Sequence, residues 1–243
     1  MEKIEATVIL PMYNEADYIE SCVHRVKAAL ERFSYSYEVI IAEDGSKDKT
    51  DEIAARLAVE DERITHLHSP KRLGRGAALK RAIKHALGEV IVYMDTDLAT
   101  SIDHLPALIE LTKKSHGIST GSRLIKGALV KRPALRRVVS KGYNLFVRVL
   151  FRDNIHDHQC GFKAFSRTML TDILDQVNDD GWFFDTEIIV RATKAGYQAI
   201  EIPVRWVETR NKRESKVKVF HDGKQMGLAL LRFWWKTKMG TRF

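Results

Sequence analysis

The sequence predicts an α/β protein with a doubly wound, mainly parallel sheet flanked by helices. Strand-like and helix-like segments alternate through the first half of the chain, which is the pattern of right-handed β–α–β units. The run Val90–Met94 is apolar or aromatic throughout, as expected for a strand buried on both faces. Polar or glycine-containing loops follow the predicted strands, at the edge where open α/β sheets bind ligands.

Composition narrows the possible classes of protein. The chain has 243 residues, enough to bury a sizeable core, and a formal net charge of +8, which indicates anionic partners such as phosphates, nucleotides, nucleic acids or acidic lipids. The two cysteines, Cys22 and Cys160, match no metal-binding or redox spacing, so we expect a reducing compartment. Because the first strand begins near the N-terminus and no apolar run could span a bilayer, we expect no signal peptide, no transmembrane helix and a cytoplasmic location.

The first half of the chain supplies most of the predicted sheet. Short apolar runs predict strands at 6–10, 37–42, 64–67 and 90–94, and another that ends at 120–123. Apolar residues at helical spacing predict intervening helices through 19–30, 53–59, 78–87 and 101–114. Asp48, Thr50 or Asp51 is suited to cap the second of these helices.

The second half is less regular. A helix is predicted over about 135–151, a short strand after the loop 157–163, a helix that opens at 181–187, and a strand at 199–204. The last segment, from residue 226, is apolar and aromatic with basic residues interleaved. Since no internal repeat or linker interrupts the chain, we predict one domain over 1–243.

Two carboxylates follow the buried strand 90–94, namely Asp95 and Asp97. On an extended chain, acids at positions i and i+2 point the same way and repel each other unless a cation lies between them. Hard divalent ions such as Mg²⁺ or Mn²⁺ prefer carboxylate and phosphate oxygens. The sequence therefore predicts a metal site at this edge of the sheet, and the alternative is a set of acids and hydroxyls that merely cap the next helix.

The glycine pattern argues against two common classes of nucleotide enzyme. Gly74 and Gly76 lack the third glycine of a dinucleotide fingerprint, and no phosphate-loop signature is present. A nicotinamide-dependent or ATP-dependent enzyme is therefore not expected. The loops instead fit a nucleotide that is held by acids on its base and ribose, with a metal on its phosphates.

Four motifs together resemble those of family-2 glycosyltransferases in order and spacing: Pro-Met-Tyr-Asn-Glu at 11–15, Glu-Asp-Gly-Ser at 43–46, Asp-Thr-Asp at 95–97 and Gly-Ser-Arg at 121–123. Further blocks at 157–163, 182–187, 203–206 and 215–217 are similar to the dolichyl-phosphate (polyprenyl-phosphate) glucosyl- and mannosyltransferase branch. The resemblance covers about residues 5–237. It implies a GT-A fold, a nucleotide-sugar donor, Mg²⁺ or Mn²⁺, and inverting transfer of a hexose to a polyprenyl phosphate.

Two positions bear on which sugar is transferred. Ala99 stands where the mannose-transferring relatives often have Gln, which favours UDP-glucose over GDP-mannose as the donor. His158 stands where the glucose branch commonly has Thr, so the identity of the sugar stays open. The resemblance also implies a nucleotide-binding half at about 1–122, an acceptor half at about 123–217 and an amphipathic C-terminal helix at about 218–240.

The resemblance assigns roles to individual residues of this chain. The residues implied in nucleotide binding are Pro11, Tyr13, Glu15, Glu43, Asp44, Arg72, Arg75 and Asp95. Asp95 and Asp97 are implied as metal ligands and, with Arg123, as catalytic residues. The residues implied in binding the acceptor and donor phosphates are Arg123, Arg136, Ser140, Arg213, Ser215 and Lys216. Sugar contacts, or residues that support them, are Gln159, Asp185 and Glu187.

A phosphate acceptor changes what catalysis requires. A phosphate monoester has a second pKa near 6, so it is largely an anion at neutral pH and needs positioning more than deprotonation. The basic residues around Arg132, Arg136 and Arg137 suit this task because arginine forks match phosphate geometry. Arg132, Arg136 and Ser140 are spaced as one helical face. A solvated charged surface is the alternative.

Several alternatives stay open from sequence alone. Asp185 and Glu187 either face the substrate or favour a helix N-terminus through its dipole. The aromatic run Trp-Phe-Phe at 182–184 is either part of the core or a wall for the sugar. The C-terminal segment either packs on the core or attaches the protein to the cytoplasmic face of an anionic membrane through Trp234, Trp235, Lys236 and Lys238.

Other functions are also possible on the sequence alone. A family-2 transferase that acts on a sugar hydroxyl would need an acidic base, for which Asp185 is the candidate. A nucleotide-sugar binding protein without turnover is not expected, because the acid pair is intact. A nucleic-acid partner is not expected, since no known nucleic-acid-binding module is present.

Overall fold

The structure, a computed structural model, describes residues 3–208 and 219–239. A seven-stranded sheet with the strand order β3-β2-β1-β4-β7-β5-β8 forms its centre. These strands are β1 (Ala6–Met12), β2 (Tyr37–Glu43), β3 (Ile64–Leu67), β4 (Val90–Met94), β5 (Ile118–Ser122), β7 (Phe162–Ser166) and β8 (Ala199–Pro203). Two short strands, β6 (Leu129–Lys131) and β9 (Arg205–Val207), pair with each other in parallel.

Helices cover both faces of the sheet. They are α1 (Ile19–Arg32), α2 (Thr50–Glu60), α3 (Arg75–His85), α4 (Leu105–Ser115), α5 (Ala134–Phe151), α6 (Arg167–Ile173), α7 (Phe184–Lys194) and α8 (Val219–Lys238). Alternate residues of β1 explain the two layers, because successive side chains of a strand point to opposite faces. Val8 and Leu10 pack with residues of α1 and α4, whereas Ile9 packs with residues of α3. The predicted doubly wound α/β class is confirmed.

The strand direction departs from a fully parallel sheet at one position. β7 is antiparallel to both of its neighbours, β4 and β5, while all other pairings in the large sheet are parallel. β7 and β8 belong to the second half of the chain. The predicted nucleotide-binding and acceptor halves therefore contribute strands to the same sheet.

Three short elements were not predicted from the sequence. These are the helix α6, whose N-cap Ser166 accepts a hydrogen bond from the backbone N–H of Met169, and the paired strands β6 and β9. Two residues that were placed on apolar helix faces, Val59 and Leu87, are exposed. Leu87 lies beyond the end of α3 at His85, because the chain turns there into β4.

A smaller apolar cluster joins α5, α7 and α8 beside the main sheet. Val147 and Phe151 of α5, Val190 of α7, and Leu230 and Phe233 of α8 form its centre. The rings of Phe151 and Phe233 lie 5.3 Å apart. The C-terminal helix thus packs on the core through this cluster. Apolar Leu228, Leu231 and Trp235 are nevertheless exposed on the helix, so its amphipathic character stays a prediction. Across the described part of the chain, every helix is too short or too polar to cross a bilayer.

Candidate active site

The loops after β1, β2 and β4 meet at the carboxyl edge of the sheet, as the sequence predicted. The backbone N–H of Asp44 donates to the carbonyl of Met12 at 3.0 Å. The hydroxyl of Thr96 donates to the carbonyl of Pro11 at 3.2 Å. The backbone N–H of Glu15, which is buried, donates to the hydroxyl of Thr50 at 2.7 Å. These bonds fix the three loops relative to one another.

Asp44 holds the loop between β3 and α3. Its carboxylate accepts the backbone N–H groups of Leu73 at 2.8 Å and Gly74 at 2.9 Å. Gly74 has a φ of +115°, a conformation that favours glycine. This loop places the guanidinium of Arg72 over the ring of Tyr13, 4.0 Å from its centroid, a cation–π contact. The structure thus brings together Tyr13, Asp44 and Arg72, which were predicted to bind the nucleotide.

Glu43, also predicted to bind the nucleotide, has a different neighbourhood. Its side chain is fully buried, and one carboxylate oxygen accepts the backbone N–H of Ser46. The other oxygen lies 2.8 Å from Nδ1 of His68. The side chain of Glu43 is therefore engaged with the β3 end of the sheet.

The acid pair lies on a turn, and the expectation of an extended chain there is wrong. The backbone N–H of Leu98 donates to the carbonyl of Asp95 at 3.0 Å, and Leu98 has a positive φ of 48°. The chain turns because Thr96 is buried against the loop after β1. Asp97 accepts the backbone N–H of Ala99 at 3.1 Å. We call residues 95–98 the acid turn.

The carboxylates of the acid turn are suitable ligands for a hard ion. The side chain of Asp95 is 45% exposed, so an ion and a bound phosphate can reach it. Its inner side abuts Gly161, whose backbone carbonyl accepts the N–H of Asp95 at 3.1 Å. Two carboxylates at an open edge are the donor set that Mg²⁺ or Mn²⁺ prefers. The residues of the turn therefore fit the predicted metal.

Arg75 links the acid turn to the N-terminus of α7. Its guanidinium lies 2.9 Å from an oxygen of Asp95 and 3.8 Å from an oxygen of Asp185. It also lies 5.6 Å from the ring centroids of Tyr93 and Trp182. Burial alone would lower the pKa of Arg75, but the carboxylates of Asp95 and Asp185 raise it above its usual value. A permanent positive charge is thus held beside the acid turn.

Asp185 is ion-paired in the core of the site. Nζ of Lys163, a fully buried side chain, donates to Asp185 at 2.6 Å, and the hydroxyl of Tyr93 donates to the same carboxylate. Burial, followed by the charge of Asp185, raises the pKa of Tyr93. Neither Lys163 nor Tyr93 was predicted to have a role in the site. Both sit opposite each other in the β4–β7 pairing, and the signal that was overlooked is a lysine within an apolar strand.

Of the other residues near the start of α7, some are buried in the core and others form hydrogen bonds that hold neighbouring segments. Glu187 accepts the backbone N–H groups of Asn178 and Asp179 and pairs with Arg191 at 2.8 Å. The amide of Gln159 donates to the hydroxyl of Thr186 at 2.9 Å. Of the aromatic run, the side chains of residues 183 and 184 are buried, and Trp182 lies beside Arg75. Glu187 therefore holds the loop that precedes α7 and does not face the carboxyl edge of the sheet.

A cluster of arginines lies at the end of β5. Arg123 binds Asp157 through Nε at 2.7 Å and through a second guanidinium nitrogen at 2.9 Å. The guanidinium of Arg132 lies 5.7 Å from the ring centroid of Trp206, and the guanidinium of Arg123 lies 6.0 Å from the same centroid. Arg136 pairs with Glu208. We call Arg123, Arg132 and Arg136 the arginine cluster.

Arg132 is the least compensated member of the arginine cluster. Its Nε is buried and has no hydrogen-bond partner among the described residues. Burial, followed by the charge of Arg123, lowers the pKa of Arg132 to about 10. Arg132 precedes α5, which begins at Ala134, so the prediction that it shares a helical face with Arg136 and Ser140 is wrong. Pro133 is the N-cap, so the helical face starts only after it.

The remaining predicted phosphate ligands differ in their surroundings. Ser140 is half-buried on α5, and its carbonyl accepts a hydrogen bond from the amide of Asn144. Asn144 also holds the fully buried His158, whose Nδ1 lies 2.9 Å from the amide oxygen. His158 is thus an internal support for the loop before β7. Arg213, Ser215 and Lys216 lie outside the described residues.

Comparison with known sequences identifies relatives. The family model described as "Glycosyl transferase family 2" matches residues 7–174. Glycosyltransferase AglD of Haloferax volcanii is 46% identical, with 98% of this chain aligned but only 38% of the relative's length. A dolichyl-phosphate beta-glucosyltransferase of Drosophila melanogaster is 30% identical over 98% of this chain and 76% of its own length. The Saccharomyces cerevisiae protein of the same name is 26% identical, with 94% and 71% covered.

Comparison with solved structures shows the fold alone, because the identities are below 25%. The mannosyltransferase PcManGT from Pyrobaculum calidifontis, in complex with GDP-Man and Mn²⁺, matches with a TM-score of 0.60 and 23% identity over 100% of this chain and 66% of its own. Glucosyl-3-phosphoglycerate synthase from Mycobacterium tuberculosis, with Mn²⁺, UDP and phosphoglyceric acid bound, matches with a TM-score of 0.68 and 19% identity, with 99% and 80% covered.

Proposed function

The chain belongs to glycosyl transferase family 2, and from that premise we propose that it transfers a hexose from a nucleotide-sugar to a dolichyl or polyprenyl phosphate. UDP-glucose is the favoured donor and GDP-mannose the next. The transfer inverts the anomeric centre and depends on Mg²⁺ or Mn²⁺. The relatives named dolichyl-phosphate beta-glucosyltransferase support the acceptor and the glucosyl donor. The solved structures that hold GDP-Man or UDP with Mn²⁺ support a nucleotide-sugar and a metal.

The observation that carries the proposal is the arginine cluster beside the acid turn. β4 and β5 are separated in the sheet only by β7, so the residues that follow them lie about 10 Å apart. Arg132 is poorly compensated there, because its buried Nε has no partner in the described chain and Arg123 repels it. Burying such a charge is costly unless an anion pairs with it. A phosphate on the acceptor supplies that anion.

The acid turn serves the other substrate. Asp95 and Asp97 would hold the divalent ion on the donor diphosphate, and the ion would supply Lewis-acid stabilisation of the charge on the leaving group. Arg75 holds the carboxylate of Asp95 in place through their 2.9 Å contact. Tyr13, stacked by Arg72, offers a flat surface beside the loop that Asp44 fixes, which suits a nucleobase.

The residues at the start of α7 argue against a dedicated catalytic base. The carboxylate of Asp185 already accepts hydrogen bonds from Lys163 and Tyr93. Because this carboxylate is buried and held by these contacts, it is poorly placed to reach the hydroxyl of a sugar acceptor. A transferase that deprotonates a sugar hydroxyl through Asp185 is therefore not favoured. A phosphate acceptor, which is already an anion, needs no such base.

A lipid acceptor requires access to a membrane surface, and α5 supports such access. The outer side of this helix exposes six large apolar side chains: Leu135, Val138, Val139, Leu145, Phe146 and Val149. Basic Arg137 and Lys141 are exposed among them, which favours anionic lipid. On α8, Trp235 is 60% exposed, whereas Trp234 packs at the edge of the apolar cluster of α5 and α7. We place the attachment on α5 with Trp235 and Lys236, at the cytoplasmic face of the membrane.

Transfer of labelled sugar tests the proposal. The full chain is incubated with radiolabelled UDP-glucose, and separately with GDP-mannose, and a polyprenyl phosphate, with Mn²⁺ or with chelator. The proposal predicts organic-phase label that requires metal and is lost in Asp97→Asn. The matched control Asp103→Asn changes an exposed acid in the next turn and retains activity. Absence of organic-phase label from both donors, with nucleotide still bound, would contradict the proposal.

A further inference from the structure

Two histidines and two carboxylates converge at the β3 end of the sheet. Glu43 ends β2, Asp51 lies in the first turn of α2, His66 is in β3, and His68 follows β3. One ligand atom of each lies within 4.8 Å of the other three. We call these four residues the histidine–carboxylate cluster.

The individual contacts are short. Nδ1 of His68 lies 2.8 Å from an oxygen of Glu43 and 2.9 Å from an oxygen of Asp51. Nε2 of His66 lies 3.2 Å from the same oxygen of Asp51. Two donors on a tetrahedral ion with bonds of about 2.0–2.2 Å lie roughly 3.3–3.6 Å apart, which falls between these contacts and the 4.8 Å within which all four ligand atoms lie.

One ligand atom of the histidine–carboxylate cluster lacks a hydrogen bond among the described residues. Nε2 of His66 is buried and makes no hydrogen bond of good geometry within the described chain. The nearby guanidinium of Arg81 donates to the backbone carbonyls of Glu43, Leu67 and His68. The cluster brings the fully buried carboxylate of Glu43 within 4.8 Å of a second carboxylate, that of Asp51. A divalent cation between the two carboxylates would offset their mutual repulsion.

We propose that the histidine–carboxylate cluster is a divalent transition-metal site of the zinc class, which joins β2, β3 and α2. Two imidazole nitrogens and two carboxylate oxygens form a donor set for four-coordinate Zn²⁺. The backbone N–H of Ser46 binds the remaining oxygen of Glu43 and so orients this ligand. The bound ion fixes the loop that carries Asp44, which in turn holds Leu73 and Gly74.

This site is separate from the acid turn. β1 lies between β2 and β4 in the sheet, which places Glu43 about 10 Å from the strand that ends before Asp95. The donor sets also differ, since the acid turn offers carboxylates and the cluster adds two imidazoles. A failure of the glycosyltransferase proposal would leave this inference untouched.

Zinc titration of the full chain tests the site. The protein is stripped of metal with a chelator, dialysed and titrated with Zn²⁺ alone, with bound metal and Tm as readouts. We expect one Zn²⁺ per chain in this site and a rise in Tm of about 5 to 10 °C at roughly a hundredfold excess over the Kd. Co²⁺ in place of Zn²⁺ should give the visible absorption of a four-coordinate nitrogen–oxygen site.

Four variants assign the binding to these residues. His66→Asn and His68→Asn should each lose the Tm rise and the Co²⁺ absorption, and His68 is exposed enough that its replacement leaves the core intact. His24→Asn, which alters an exposed histidine of α1, and the double variant Asp95→Asn/Asp97→Asn should retain both. The inference is overturned if the native chain binds no stoichiometric Zn²⁺. It is equally overturned if Zn²⁺ still binds to His66→Asn and also to His68→Asn.

Discussion

Gly161 is the residue on which the position of Asp95 depends. A Cβ at this position would lie 2.1 Å from an oxygen of the Asp95 carboxylate, so any larger residue must displace that carboxylate. Gly161→Ala should reduce kcat/KM for sugar transfer about 100-fold, since a misplacement of about 1 Å costs that much. Steady-state kinetics measures this effect.

The control for this variant is Gly142→Ala on α5, where an added Cβ meets no atom within 4 Å. Its activity should be unchanged, and its unfolding free energy should rise by about 0.5–1 kcal/mol because alanine favours the helix. Full activity in a folded Gly161→Ala chain would contradict the role given to the Asp95 carboxylate.

Arg132 is predicted to bind the acceptor phosphate. Arg132→Gln removes the positive charge but keeps a polar side chain, so kcat/KM for polyprenyl phosphate should fall about 100-fold while nucleotide affinity stays the same. Calorimetric titration with the nucleoside diphosphate measures nucleotide affinity separately from the use of the acceptor. Arg137→Gln, an exposed neighbour, serves as the control with a detergent-solubilised acceptor. Equal losses in both variants would indicate a general charge effect.

Asp157 links stability to pH. Burial would raise the pKa of this carboxyl, but Arg123 lowers it from 3.8 to about 2. Because the folded pKa lies below the unfolded pKa, the stabilisation is present above about pH 4 and is lost as the pH falls towards about 2, a change of about 2 kcal/mol. Urea unfolding at several pH values should show this loss of stability.

Asp157→Asn isolates that contribution. The variant should be less stable at neutral pH, because Arg123 is left buried without its partner, and its stability should fall less steeply towards acid. Asp17→Asn, at an exposed position, should keep the native slope. An unchanged slope in Asp157→Asn would contradict the assignment of the pKa shift to this pair.

At the scale of the elements, α5 carries the predicted contact with lipid. Phe146 is 47% exposed and Val138 is 67% exposed. Replacing either with Glu should weaken binding to anionic vesicles about tenfold or more, because burial of one such side chain contributes about 1.5–3 kcal/mol. Vesicle sedimentation measures the binding.

Val59→Glu is the matched control, since Val59 is 89% exposed on α2 and lies outside the apolar face of α5. It should bind vesicles as the native chain does. Sedimentation of Phe146→Glu and Val138→Glu with native affinity would show that α5 is not the attachment surface.

The elements also show what periodicity can and cannot reveal. Helices with a clear apolar stripe, such as Ile19–Arg32, and buried runs, such as Val90–Met94, were predictable because burial leaves a pattern in the residues themselves. The antiparallel direction of β7 was not, since a short run such as Phe162–Ser166 has the same alternation in either direction. The α6 helix has only seven residues, too few for a convincing helical period.

The candidate site was likewise predictable only in part. The residues at the ends of β1, β2 and β4 were identified because parallel strands place their carboxyl ends at one edge. The buried network of Lys163, Tyr93 and Asp185 was not identified, because it depends on the register of two strands that are far apart in sequence. The turn at 95–98 depends on a hydrogen bond between Thr96 and the loop after β1, which local sequence does not specify.

At the scale of the whole molecule, the sheet brings opposite charges to one edge. The acid turn follows β4, the arginine cluster follows β5, and β7 lies between them. One group suits a metal-bound diphosphate, and the other suits a phosphate that is to become glycosylated. The net charge of +8 favours the approach of both anionic substrates.

The most direct test compares two acceptors that differ only in their phosphate. Radiolabelled UDP-glucose and GDP-mannose are each offered with a polyprenyl phosphate and with the polyprenol of the same length, in the presence of Mn²⁺. We expect organic-phase label from one donor with the phosphate and none with the alcohol. Equal transfer to the alcohol, or transfer only to a sugar hydroxyl, would contradict it.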